Sequence, residues 1–297
     1  MKKIDGWQIA AHIVLVLFSL AAIVPFILLV IASFTDNQWA MVNGISFFPK
    51  EWSLTAYQYI ANEWATIGRS YLMTMVVTLI GTVLSLVVTT SLAYALTDRE
   101  LPGARILSFL CIFTMLFNGG IVASFYIWTQ VFHIRNTIWA LILPNLMMSA
   151  FNIILVKNYF VSSVPESLKE AARIDGAGEL RIFVQVVLPL SKPILATIGL
   201  MTAIAYWNDW TNGLYYLTER NGSHLYTIQI VLNTINNNIN FLASHAGEMG
   251  ATISTADIPS TTVRMAIAVV GVLPILVMYP FFQKYFVKGI TLGGVKG

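Results

Sequence analysis

Long apolar runs separated by short polar stretches make up most of the chain, at lengths that suit lipid better than a water-soluble core. A helix crossing a bilayer needs about 20 largely apolar residues. Runs free of Asp, Glu, Lys and Arg cover residues 10–33, 70–97, 106–134, 136–156 and 265–283, and a sixth, about 193–218, is interrupted only by Asp209. The pattern predicts an all-α membrane protein of six spanning helices. Two polar stretches between spans are long enough to hold structure of their own, at 35–66 and 219–261. A third, at 163–189, is short and densely charged.

Composition strengthens this reading. The chain is 57% hydrophobic and 10% charged, whereas soluble domains carry about 25% charged residues. A formal net charge of +3 is too small to suggest nucleic acid as a partner, and the single cysteine, Cys111, excludes an internal disulfide and a cysteine-based zinc site. His12, His133, His224 and His245 are scattered and suggest no metal cluster. Lys2 and Lys3 precede the first apolar run much as in a signal peptide, but the run is too long for one and reads as an uncleaved helix.

Six spans put both termini on one side, and basic residues select the side. With the termini and the loops at 97–105 and 157–192 in the cytoplasm, twelve of the 17 Lys and Arg residues lie inside. The acidic residues divide evenly, so the asymmetry belongs to Lys and Arg alone. The expected location is a cell membrane, crossed several times, with both termini cytoplasmic.

The charged loop then faces the cytoplasm. Ser163 and Glu166 have the spacing of a capping box, with Pro165 in the first turn. Leu168, Ala171, Ala172 and Asp175 fall on one face of a short helix, Gly176 suits its C-terminus, and a second short helix is expected over about 178–187 before Leu188 and Pro189 turn the chain back. In order, the loop reads Glu170-Ala171-Ala172, three residues, Gly176, nine residues, Val186, one residue, Leu188-Pro189. This resembles the EAA loop of ABC importer permeases, E-A-A-x3-G-x9-I-x-L-P, with valine in place of isoleucine. The resemblance extends over nearly the whole chain, to the carbohydrate-uptake branch and its maltose-permease G-type subunits. The tail Gly293, Gly294, Val295, Lys296 and Gly297 is similar to the G-type C-terminus. Asn118-Gly119-Gly120 and residues 279–285 are similar to a subgroup handling oligosaccharides, some of them rich in uronic acids.

The resemblance implies a single transmembrane permease domain over 1–297. It implies a second, homologous permease subunit, an ATPase dimer on the cytoplasmic face, and an extracellular or periplasmic sugar-binding protein as partners. Glu170, Ala171, Ala172, Gly176, Leu188 and Pro189 would belong to a helix seated in a cleft of the ATPase, with Glu170 paired to a basic residue there. The tail would reach into the ATPase dimer, and the outer loop at 219–261 would approach the binding protein. No catalytic residue and no cofactor is implied for this chain; ATP and magnesium would be held by the partner ATPase. In keeping with that, the chain lacks a G-x-x-x-x-G-K-[ST] phosphate loop.

Polar groups within spans are costly and are expected to face a cavity or a helix partner. Asn118, Asn152, Tyr206, Trp207, Asn208, Asp209 and Trp210 are therefore candidates for lining a sugar path. Trp and Tyr also gather at membrane interfaces without any ligand. Gly81, Gly119, Gly120 and Gly199 suggest close helix packing. Residues 53–64 read as an N-capped surface helix, and the Asn- and Ser-rich composition of 219–261 as a loop. Two other functions are compatible with six spans: an ABC permease for another small solute, and an ion-gradient-driven carrier. The carrier would require buried carboxylates or broken helices in matching halves, and Asp209 is the lone acidic residue expected within a span.

Overall fold

The computed structural model describes residues 6–62, 64–98, 101–245 and 261–294. Within them the chain is helical apart from turns and one isolated antiparallel bridge between Thr35 and Trp52. In order the helices are α1 (Gly6–Ser33), α2 (Asn37–Asn43), α3 (Thr55–Asn62), α4 (Trp64–Ala95), α5 (Ala104–Leu116), α6 (Gly120–Tyr126), α7 (Trp139–Ile142), α8 (Ala150–Ser163), α9 (Glu166–Ile174), α10 (Glu179–Ile182), α11 (Leu188–Leu190), α12 (Lys192–Trp207), α13 (Thr211–Tyr216), α14 (Glu219–Gly222), α15 (Ile228–His245) and α16 (Thr261–Gly294). Wider π turns continue α6 over Ile127–Val131 and join α10 to α11 over Phe183–Val187.

Three helices among the described residues are long and apolar enough to cross a membrane: Gly6–Ser33, Trp64–Ala95 and Thr261–Pro280. They contain the run expected at 10–33 and most of those at 70–97 and 265–283. The other three expected spans are interrupted. The run 106–134 divides at Asn118, whose Oδ1 accepts the Gly120 N–H at 2.8 Å while Gly120 adopts φ +78°. Gly119 and Gly120 thus form a turn, and an added Cβ on Gly120 would meet open space instead of a packed helix. The run 136–156 divides at Pro144 and Asn145; Asn145 is left-handed at φ +62°, and Ser149 caps a new helix by accepting the Asn152 N–H at 3.4 Å. The run 193–218 divides after Trp207, where the Asp209 carboxylate accepts the N–H groups of Thr211 and Asn212 at 3.1 and 3.3 Å.

By contact the chain forms two compact units, Met1–Gly68 with Val231–Pro274, and Arg69–Ile230 with Ile275–Gly297. In the first, α1 is exposed along nearly its whole length. An all-apolar helix exposed in this way among the described residues has the composition of one that faces lipid. Asp36 caps α2 through the N–H groups of Gln38 and Trp39. Phe34 stacks on Tyr57 at 4.7 Å, and the Tyr57 hydroxyl meets Ser33 Oγ at 2.8 Å, which fixes α3. The expected helix at 53–64 is present as α3, with Ser53 Oγ accepting the Thr55 N–H.

The second unit holds two apolar clusters. One gathers Ala93 of α4 and Leu96 just beyond it, Ile153, Val156 and Phe160 of α8, Ile182, Phe183 and Val187 around α10, and Ile194 and Ile198 of α12. The other gathers Val77, Leu141, Ile142, Tyr206, Leu217, Leu225 and Ile230. The stretch expected as an outer loop at 219–261 is largely helical where it is described: Asn236–Asn238 lies within α15. The early turns of that helix carry buried Ile228, Ile230 and Val231, and this packing outweighs the weak helix propensity of asparagine.

Candidate functional site

The charged loop folds as a helical hairpin, and each departure from the expected geometry has a local cause. Ser163 ends α8 instead of capping α9, because Val164 precedes proline and is held extended at ψ 110°. Pro165 takes the N-cap position, and Glu166 pairs forward with Lys169 and Arg173 instead of reaching back. Gly176 does close the helix. It is left-handed at φ +79°, Ala177 N–H reaches the Ala172 carbonyl at 2.9 Å, and Gly176 N–H reaches that of Arg173 at 3.0 Å. This bond pair is the Schellman arrangement, which turns the chain and satisfies orphaned carbonyls together.

The second arm does not turn at Leu188 and Pro189. The helix continues through them and bends at Ser191, by 83° between Glu179–Leu190 and Lys192–Trp207. A proline inside a helix clashes with the carbonyl four residues back, which here belongs to Gln185. The π turn over Phe183–Val187 widens the backbone at that place and absorbs the ring, with Leu188 N–H bonding the Phe183 carbonyl.

The two arms have different surroundings. Glu170 and Ala171 are exposed on α9, as is Gly176, and Ala172 is half-buried against the apolar cluster. Ile174 is 86% exposed and Leu180 76%. The hairpin therefore exposes large apolar side chains beside a dense set of charges. On the second arm, Ile182 and Val187 are buried, while Val186 and Leu188 pack against the same cluster.

A polar network that local sequence patterns did not reveal joins the hairpin to α4. Arg173 Nε donates to Glu179 Oε1 at 2.8 Å, and Tyr94 Oη donates to Glu179 Oε2 at 2.6 Å. Hydrogen bonds from Arg173 and then Tyr94 hold the Glu179 carboxyl below the usual carboxylate range. Lys169, buried despite its charge, is paired with Glu166 and, together with Arg173, keeps that carboxyl low. These groups line a groove of about 1030 Å³ that also includes Asp98 and Lys157. The Arg173 and Glu179 signal was a pair of opposite charges six residues apart; Tyr94, 85 residues away, carried none.

The path candidates separate into two kinds. Tyr206 is fully buried, its hydroxyl donating to the Ile142 carbonyl at 2.8 Å and its ring lying where a Cβ on Gly81 would come within 2.5 Å. Gly81 is thus the close-packing glycine that its sequence context suggested. Asn212, next in the polar cluster, donates to the Pro144 carbonyl at 3.0 Å, and Asn136 Oδ1 accepts the Thr218 N–H at 2.7 Å. In lipid every freed backbone group must find a partner within the protein. Tyr206, Asn212 and Asn136 supply partners where the apolar runs break. Trp207 and Asn152 are also buried, Asp209 is half-buried as the cap of α13, and Asn118, Asn208 and Trp210 are exposed. Of the tail, Gly293 and Gly294 end α16, while Val295, Lys296 and Gly297 lie outside the described residues.

Helical and apolar, with three helices among the described residues long enough to cross a bilayer, this architecture defines an integral-membrane protein. Residues 8–292 match the family described as binding-protein-dependent transport system inner membrane component, and the chain belongs to that family. It is a transport subunit and not an enzyme. It is 40% identical over 283 residues to the polygalacturonan/rhamnogalacturonan transport system permease protein YtcP of Bacillus subtilis strain 168, covering 95% of this chain and 96% of that protein. It is 30% identical to the maltodextrin transport system permease protein MdxG of the same organism, over 98% of this chain and 96% of the relative. Among solved structures it is similar to a chain of a bacterial ABC transporter involved in the import of the acidic polysaccharide alginate, with 31% identity and a TM-score of 0.78 over 96% of this chain and 98% of that one.

Proposed function

We propose that this chain is one permease subunit of an ATP-driven importer for an oligosaccharide rich in uronic acids. The cargo class is supported by two relatives whose names specify acidic polysaccharides, a polygalacturonan/rhamnogalacturonan permease and an alginate importer. An extracellular binding protein delivers the cargo, a second permease forms the other wall of the path, and two ATPase subunits supply the energy. ATP and magnesium are bound by those ATPases, and this chain carries no cofactor. Its single permease domain crosses the cytoplasmic membrane six times with both termini inside. The third, fourth and fifth crossings are broken helices, and the tail from Gly293 to Gly297 reaches towards the ATPases.

The observation that carries this reading is the hairpin. Its first arm presents Glu170 and Ala171 to solvent beside exposed Ile174, at the motif spacing ended by left-handed Gly176. We assign α9 as the docking helix, with Ala171, Ala172 and Gly176 allowing close approach of the ATPase and Glu170 pairing with a base on it. Leu188 and Pro189 belong to the arm that returns motion to the bilayer. In the path, Asn118, Asn208 and Trp210 retain free surface for sugar hydroxyls and CH faces, whereas Tyr206, Trp207, Asp209 and Asn152 shape the wall behind them.

The test is Glu170→Lys in the assembled importer. It is expected to leave the chain in the membrane with its partner permease, to lose the co-purified ATPase and to abolish uptake of oligogalacturonate. Losing one partner of a desolvated charge pair costs about 2–5 kcal/mol. Retained ATPase and normal uptake would overturn the docking assignment.

A further inference from the structure

We propose that Glu179 is the joint through which movement of the docking helix is passed to α4. The proposal rests on the reading of α9 as the ATPase-docking helix. Its basis is a division of labour within one carboxylate: Oε1 accepts from Arg173 on α9 and Oε2 from Tyr94 at the end of α4.

Without this link, α9 meets the rest of the second unit through little more than Ala172, which packs against the apolar cluster, and buried Lys169. Between the arms lie Gly176, Ala177 and Gly178, two glycines around one small residue. A segment of this kind bends readily, because glycine has little steric restriction. Apart from Lys169, Ala172 and Ala177, the residues from Pro165 to Gly178 are exposed. An ATPase that seized α9 and moved would bend the chain at the glycines and leave the second arm behind. The Arg173–Glu179 bond crosses that bend and closes it into a braced triangle.

Tyr94 extends the brace to the membrane helix. Its ring stacks on Phe183 at 4.9 Å, and its hydroxyl holds Glu179, one helical turn earlier on the same arm. Two contacts four residues apart define the direction of the arm as well as its position. Arg173 and Glu179 are about half exposed, at 46% and 59% of their side chains. An ion pair that exposed contributes little as an isolated pair. A third partner that fixes the carboxylate restricts the freedom that makes exposed pairs weak. Arg173 also reaches Glu166 at 3.4 Å, which anchors the guanidinium to the start of its own helix.

The experiment uses the whole importer, with binding protein and ATPases, reconstituted in lipid vesicles. It measures oligogalacturonate uptake and ATP hydrolysis in the same preparation. Tyr94→Phe removes one hydroxyl and keeps the ring stack. The variant is expected to retain its ATPase and to hydrolyse ATP at near the normal rate, while cargo moved per ATP falls by about tenfold, the scale of one lost hydrogen bond to a charged group. Glu179→Gln should give a similar loss, and the double variant should be no worse than the worse single one, because all act through one joint. An unchanged ratio of uptake to hydrolysis in Tyr94→Phe would overturn the proposal. So would loss of the ATPase from that variant, which would mean that the network only shapes the docking surface. Failure of the docking reading shows separately, as Glu170→Lys complexes that keep both the ATPase and normal uptake.

Discussion

The hairpin at 163–189 and the polar cluster at 206–212 both stood out as polar chemistry in an apolar chain, and they fold to opposite ends. In the hairpin, Glu170, Ala171 and Ile174 face outward, exposed among the described residues. In the cluster, Tyr206 and Asn212 turn inward and spend their hydrogen bonds on the carbonyls of Ile142 and Pro144. The cause is the solvent. Around an exposed hairpin, water satisfies charges and backbone alike, so side chains are left free for a partner. At membrane depth a broken helix has to be repaired from within, and nearby polar side chains are recruited for that first. Polarity in a span is thus as much a sign of a broken helix as of a cargo path.

The largest effect that separates the two regions is on stability. Gly81→Ala would place a Cβ 2.5 Å from the Tyr206 ring, which cannot retreat while its hydroxyl holds Ile142. Overpacking of this kind costs about 1–3 kcal/mol. The variant is expected to unfold at lower temperature in detergent while still binding the ATPase. Ile174→Ala should do the reverse: on an 86% exposed side chain it should leave thermal stability unchanged, yet weaken recovery of the ATPase. Equal stability losses in both variants would erase the distinction between repair and docking.

A smaller effect is expected at Gly176. Its left-handed φ of +79° lies in open space, so the barrier to a side chain is backbone strain alone. Such strain amounts to about 1–2 kcal/mol for alanine and less for asparagine. Gly176→Ala should therefore lower uptake and Gly176→Asn should largely restore it. Equal behaviour of the two would mean that what matters at this position is the absence of a side chain at the ATPase surface.

Much of the hairpin was legible because its determinants are local. The Gly176 C-terminus, the short first helix and the exposed motif face all follow from residues within one or two turns. Pro189 was misjudged as a turn because the widening at Phe183–Val187 that accommodates it leaves no mark in hydrophobic periodicity. The spans at 106–134, 136–156 and 193–218 were read as continuous because apolar composition reports lipid, not helix continuity. Their breaks lie at Asn118, at Pro144 and Asn145, and at Asp209; the capping and turn chemistry of Asn118 and Asp209 was available but was read as cargo chemistry. Tyr94 was invisible, since only the fold brings it to Glu179.

The smallest effect concerns the ion pairs themselves. Arg173 and Tyr94 lower the Glu179 carboxyl, and Lys169 and Arg173 lower that of Glu166. A carboxylate depressed in the folded state stabilises it above the unfolded value, here 4.5, and that contribution disappears as pH falls through the depressed folded values. Between neutral pH and the onset near 4.5 the hairpin should be indifferent to pH, and below that its arms should loosen. Both carboxylates are more than half exposed, so water and salt screen them, and the contribution is at the low end for surface pairs. Hydrogen exchange of the α9 amides measures this. Raising salt from about 0.05 to 0.5 M shortens the screening length from about 14 Å to about 4 Å, close to the 2.8 and 3.4 Å separations of the Arg173 pairs, and exchange should rise by no more than about twofold. Protection at the Tyr206–Ile142 and Asn212–Pro144 bonds should not change, because both are neutral and buried. A salt response of equal size in both regions would mean that the hairpin pairs are not what holds α9, and that the brace at Glu179 relies on the Phe183 stack alone.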